Sequence, residues 1–130
     1  MADSGRYTLT RAERLRGIKR IDDLWNGTGH SMTAFPIRMV YMLSEAEADE
    51  APLSMMVTVP KRLFHHAVDR NRIKRQIREA FRHSKHILSE HIADGKALHM
   101  AFLWQQAQHL NSSEVTERMQ VLLHRLSERL

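Results

Sequence analysis

Residues 67–92 constrain the fold more than any other stretch of the 130-residue chain. With Asn71 set at 0° and about 100° of turn per residue, Arg78 falls near −20°, Arg82 near +20°, Arg75 near +40°, Lys85 near −40° and Lys74 near −60°. Ile73, Ile77, Ala80, Phe81, Ile87 and Leu88 occupy the opposite arc, between about 160° and 280°. The pattern predicts one long amphipathic helix ending before Asp94-Gly95, with a basic polar face and an apolar face that the rest of the chain must cover.

The flanking sequence supplies the cover. Thr10 and Glu13 have capping-box spacing, and Leu15, Ile18, Ile21, Leu24 and Trp25 recur at helical intervals, so a first helix is predicted over about 11–25. Phe35, Ile37, Met39, Tyr41 and Leu43 alternate as on one face of a strand, and residues 53–59 (LSMMVTV) form a second strand stopped by Pro60. The acidic stretch 44–52 between them reads as a hairpin connection. Residues 97–104 (ALHMAFLW) are a continuous apolar run, as in a strand buried on both faces. Asn111-Ser112-Ser113 caps a last helix with Val115, Met119, Leu122, Leu123 and Leu126 on its apolar side. The expected class is α+β, a two-layer α/β sandwich in the order α-β-β-α-β-α with room for an extra short strand near 30–34, forming one domain over 1–130.

Charge follows the same helix. Residues 61–85 hold nine Lys and Arg against Asp69 and Glu79, a local net of +7 in a chain whose total is +5. Ordinary helix faces mix signs, because like charges at i,i+4 repel by a few tenths of a kcal/mol per pair. A purely basic face therefore points to a polyanion. Arg75 and Arg78 can hydrogen-bond phosphate oxygens bidentately, and Asn71 can meet a base edge or a phosphate. An anionic membrane surface is the other polyanionic reading; it fits less well, because no aromatics line the helix and its apolar face is needed for the core.

Other chemistry is narrowed. The chain has no Cys, which removes disulfides, Cys-ligated zinc and thiol catalysis. No apolar run approaches the ~18 residues of a membrane span. MADSGRYTLT has no apolar signal core, so a cytoplasmic protein is expected. His65, His66, His83, His86 and His91 lack a completing carboxylate or third ligand, so they read as surface residues or residues facing the polyanion rather than a metal site. A protein nuclease needs converging carboxylates or a His/acid pair. Here the acids cluster in 44–52, and Asp69 and Glu79 stand among arginines. Trp104 ends a buried-looking strand and reads as core. Trp25 reads equally as core or as a stacking surface.

The segment Ala67-Val68-Asp69-Arg70-Asn71-Arg72-Ile73-Lys74-Arg75-Gln76-Ile77-Arg78-Glu79-Ala80-Phe81-Arg82 resembles the RNR signature of the bacterial ribonuclease P protein family, A-V-x-R-N-R-x-K-R-x-x-R-E-x-F-R. Met56-Val57-Thr58-Val59-Pro60-Lys61-Arg62 is similar to the family's G-x-S-V-S-K-K strand. Arg14-Leu15 with Ile21, Leu24 and Trp25 resembles its N-terminal R-L…F-x-x-V-F segment.

The resemblance implies a subunit that assists a catalytic RNA in the endonucleolytic removal of the 5′ leader of precursor tRNA. The RNA holds the active site and the Mg²⁺, and no protein side chain is catalytic. It implies a central mixed sheet, a left-handed βαβ crossover through the basic helix where the general rule is right-handed, and a cleft between helix and sheet for the leader. Lys61, Arg62, Arg70, Asn71, Arg72, Lys74, Arg75 and Arg78 take RNA-binding roles by position, and Arg82 and Lys85 extend the same stripe. Trp25, Phe35 and Tyr41 are candidates to stack leader bases, unless their strand or helix face is core. The expected partners are the catalytic RNA and the leader, with no membrane and a monomeric protein outside the ribonucleoprotein. The departures fall on the leader cleft: Ile21 stands where the family has Phe, Met56 and Pro60 replace Gly and Ser, and Arg38 replaces an aromatic beyond Phe35.

Overall fold

The computed structural model describes residues 30–46 and 51–130. The helix expected over 11–25, with Thr10, Glu13 and Trp25, lies outside them. The described elements are β1 (His30–Ala34), β2 (Ile37–Glu45), β3 (Leu53–Thr58), α1 (Ala67–Ser84), the short α2 (His86–Ser89), β4 (Lys96–Trp104) and α3 (Ser112–Ser127). The short strand allowed for near 30–34 is β1.

The four strands form one mixed sheet in the order β1-β2-β4-β3. β2 runs antiparallel to both β1 and β4, while β3 and β4 are parallel. The hairpin expected between β2 and β3 therefore does not form, because β4 lies between them. Its sequence explains this. Leu98, Met100, Phe102 and Trp104 enter the main core, while Ala97 and Ala101 are buried on the other face. A strand apolar on both sides belongs in the middle of a sheet. β4 also matches the full length of β2, from Ile37 opposite Trp104 to Glu45 opposite Lys96. Six-residue β3 could pair only part of it.

The expected single helix over 67–92 is also divided. Past Ser84 the bonding tightens to i,i+3: the N–H of Leu88 donates to the Lys85 carbonyl at 3.0 Å and that of His91 to the Leu88 carbonyl at 2.8 Å. This change of course turns Leu88 fully into the core. Gly95, at φ +80°, takes the left-handed position before β4 that a side chain would strain.

The apolar faces of α1 and α3 cover one face of the sheet. Ile73, Ile77 and Phe81 of α1 and Val115, Met119, Leu122, Leu123 and Leu126 of α3 are completely buried against Ile37, Met39, Met100 and Phe102. Each such side chain contributes about 1.5–3 kcal/mol relative to exposure. α3 begins as expected: the Asn111 side chain accepts from the Glu114 N–H at 2.9 Å and donates to the Glu114 carboxylate at 2.8 Å. On the other sheet face, Val40, Met42 and Ala101 form a smaller cluster. Beside it the buried His99 ring bridges three strands, with Nδ1 2.7 Å from Ser54 Oγ and Nε2 3.1 Å from Ser44 Oγ. Among the described residues no helix is long and apolar enough to cross a membrane.

Candidate nucleic-acid interface

α1 has the two faces its sequence requires. Asn71, Arg72 and Arg75 are exposed, Lys74, Arg78 and Arg82 are half-buried, and Ile73, Ile77 and Phe81 are sealed on the opposite side. Arg82 and His83 in the last turn face the negative end of the helix dipole. Lys85 leaves the stripe. It is 6% exposed at the junction of α1 and α2, because the regular helix stops one residue earlier and the wheel position no longer applies.

Lys61 and Arg62 are exposed in the turn after β3, which closes by a 3.1 Å bond from the Leu63 N–H to the Pro60 carbonyl. Phe64 anchors this segment in the core, and Arg70 braces it: Nη1 donates to the carbonyls of Phe64 at 2.8 Å and His65 at 3.0 Å. Arg70 does so because it lies near −100° (260°) on the wheel, within the apolar arc between Ile77 and Phe81, so its side chain runs along the protein rather than away from it. Its role in the protein is thus to tie one basic segment to the other.

A second seam fastens α1 to the loop between β4 and α3. His109 Nε2 is 3.2 Å from Asp69 Oδ1, and the His109 ring lies 4.9 Å from that of Phe64. Two helical turns on, Gln76 Nε2 donates to the Leu110 carbonyl at 3.0 Å and to Ser112 Oγ at 3.3 Å. The sequence reads Asp69 only as an acid isolated among arginines, whereas it meets His109, and it assigns nothing to Gln76 or His109. The available signal was that Asp69 and Gln76 are polar yet fall near 160° and 140°, about on the apolar arc.

One acid interrupts the basic face. Arg82 Nη2 donates to Glu79 Oε2 at 2.6 Å and lies 3.0 Å from His83 Nε2. The hydrogen bond from Arg82, with the nearby charges of Arg82 and His83, holds the Glu79 carboxyl below its ordinary range against a small desolvation penalty. Glu79 therefore stays ionised and offsets part of the stripe.

The aromatic candidates separate. Trp25 is outside the described residues. Tyr41 is buried in the core face of β2, its ring 5.5 Å from that of His30. Phe35 is not on the strand face with it: it stands in the β1–β2 turn before a cis Pro36 and is 59% exposed. Leu43, expected on the same inward face, is also exposed at the far end of β2. Trp104 is buried and its Nε1 donates to the Gln108 carbonyl at 3.2 Å. His65, His66, His83, His86 and His91 are all exposed, and among the described residues no three His, Asp or Glu converge as a metal site.

The strand pairings put these features at one end of the sheet. Ile37 opens β2 opposite Trp104, and Thr58 closes β3 opposite Leu103. The Phe35 turn and the Lys61-Arg62 turn thus flank the end of β4, on strands about 10 Å apart at two strand spacings.

A family model described as Ribonuclease P matches residues 9–127. The Ribonuclease P protein component of Porphyromonas gingivalis is 39% identical over 90 residues, covering 69% of this chain and 64% of the relative. That of Chlorobaculum tepidum is 37% identical over 99 residues, covering 73% and 64%. The chain thus spans slightly less than two thirds of these relatives. The fold is similar to that of the Staphylococcus aureus RNase P protein, with a TM-score of 0.68 at 21% identity over 89% of this chain and 96% of that one. The Thermotoga maritima RNase P protein gives 0.66 at 19% identity over 87% and 96%. With the family match running through the basic stripe of α1, its braces and the whole of the sheet, the chain belongs to the ribonuclease P protein family.

Proposed function

We propose that this protein is the protein subunit of ribonuclease P, binding the catalytic RNA and the 5′ leader of precursor tRNA and so assisting leader removal. The observation that carries the reading is the one-sided charge of α1, whose cations are held outward by a fully buried opposite face. Asn71, Arg72, Lys74, Arg75, Arg78 and Arg82 meet the phosphates of the folded RNA. Lys61 and Arg62, held by the Arg70 brace, extend that contact to the end of the sheet. There Phe35 stacks a leader base, a contact indifferent to base identity and worth about 1–3 kcal/mol. Leaders of many sequences can share it.

The Mg²⁺ of the reaction is held by the RNA in this reading, and the protein contributes positioning and neutralisation of phosphate charge. No side chain serves as nucleophile or general base. The test is reconstitution with a bacterial catalytic RNA at low Mg²⁺: the protein should strongly stimulate precursor-tRNA cleavage and cleave nothing alone. Unchanged RNA-only cleavage would sink the proposal. Cleavage by the protein without RNA would point to a protein nuclease instead.

A further inference from the structure

Phe35 is the most exposed of the described aromatic side chains, yet the backbone that carries it is held on three sides. Arg118 of α3 donates from Nε to the Phe35 carbonyl at 3.0 Å. The Gln105 N–H, just past β4, donates to the Pro36 carbonyl at 2.8 Å. Arg125, two helical turns along α3, reaches the Thr33 carbonyl with Nη1 at 3.4 Å. α3 itself is fixed by the burial of Met119 and Leu122 in the core. An exposed ring on a free hairpin tip would have to be ordered whenever a base stacked on it, and that ordering cost subtracts from affinity. Here the ordering is done in the folded protein.

We infer that Arg118 is a positioning residue: by holding the Phe35 carbonyl it presents the Phe35 ring to a base of the single-stranded leader. The inference rests on the reading of Phe35 as a leader-stacking residue and adds what makes that stacking effective. The critical donor is Nε. Arg118 Nη1 lies 3.8 Å from Glu117 Oε2, so its charge is partly met within α3. The role assigned to Arg118 is therefore that of an N–H donor rather than of a phosphate-binding cation.

Substitutions separate the two. Gln places its amide nitrogen at the same point along the side chain as Arg Nε, keeping a donor and losing the charge. Lys keeps the charge and has a methylene at that point. The measurement is the ratio of affinities of the reconstituted holoenzyme for precursor tRNA with a long and with a very short leader. Thermal melting of each variant runs alongside it.

Phe35→Ala should lower this ratio about 5- to 150-fold, the equivalent of one lost base stack. Arg118→Ala should lower it in the same direction by less, and should add nothing on the Phe35→Ala background, since the two residues act as one unit. Arg118→Gln should restore the ratio and Arg118→Lys should not. Rescue by Lys and not Gln, or an equal loss from Arg118→Ala with Phe35 already removed, would make Arg118 an independent phosphate contact and overturn the inference. An unchanged ratio in Phe35→Ala would remove the stacking reading itself. Loss in Phe35→Ala without loss in Arg118→Ala would remove only the positioning role.

Discussion

Arg70 and Phe64 are joined by a 2.8 Å hydrogen bond from a guanidinium nitrogen to a main-chain carbonyl, so the first arginine of the RNR segment braces the turn before the helix. The next residues, Asn71 and Arg72, and Arg75 beyond them are exposed. Arg70→Ala should therefore cost stability, about 1–2 kcal/mol for two bonds from a charged, half-exposed donor. Chemical denaturation measures it. A variant as stable as the parent would show that the brace contributes nothing to the folded state.

Arg75→Ala and Arg78→Ala should behave in the opposite way. Both should fold normally and bind the catalytic RNA more weakly, and each lost phosphate contact should reduce the slope of log K against log salt by about 0.7–0.9. Binding isotherms over a salt series give the slope directly. Unchanged slopes in both would argue that RNA docks elsewhere.

Glu79→Gln should tighten RNA binding at neutral pH by removing the one acid inside the stripe and loosening Arg82 for phosphate. The effect has a pH signature. Because the Glu79 carboxyl is held below its ordinary range, it stays charged at neutral pH and becomes neutral only as pH falls through that depressed value. The difference between parent and variant should thus be full at neutral pH and close under strongly acid conditions. Parallel titrations of RNA affinity would reveal it.

Phe81→Ala tests the reverse side of the helix. Phe81 is completely buried with its ring 5.9 Å from that of Phe102. Truncation should cost about 3–5 kcal/mol through lost burial and the cavity left behind. The loss should appear in thermal unfolding rather than in the salt slope of RNA binding.

Local periodicity carried much of this architecture. The two opposed faces of α1, the apolar stripe and Asn111 cap of α3 and the two-sided burial of β4 all follow from residues within one or two helical turns or a single strand. Strand order does not. The choice between β2 pairing with β3 or with β4 rests on matching lengths and faces across more than 50 positions, and a hairpin is the locally cheaper guess. Lys85 shows the same limit at smaller scale: a wheel assumes an unbroken helix, and the tightening at Leu88 ends it. Tyr41 and Phe35 diverge because a turn, not a strand residue, occupies position 35. The braces from Arg70, Gln76 and Arg118 end on main-chain carbonyls, which side-chain patterns cannot identify.

The position of β4 has a consequence for biosynthesis. One of the two inner strands of the sheet is the last to be made: β2 has β1 beside it from the start, but its other edge and the whole of β3 must wait for β4. Until residue 104 has emerged, β3 has no partner among the described strands, and the apolar side of α1 lacks the Phe102 surface it packs on. Until then a cationic helix and open strand edges are exposed together; the sheet is completed only when β4 inserts between strands made earlier, and the core only when α3, made after β4, covers it.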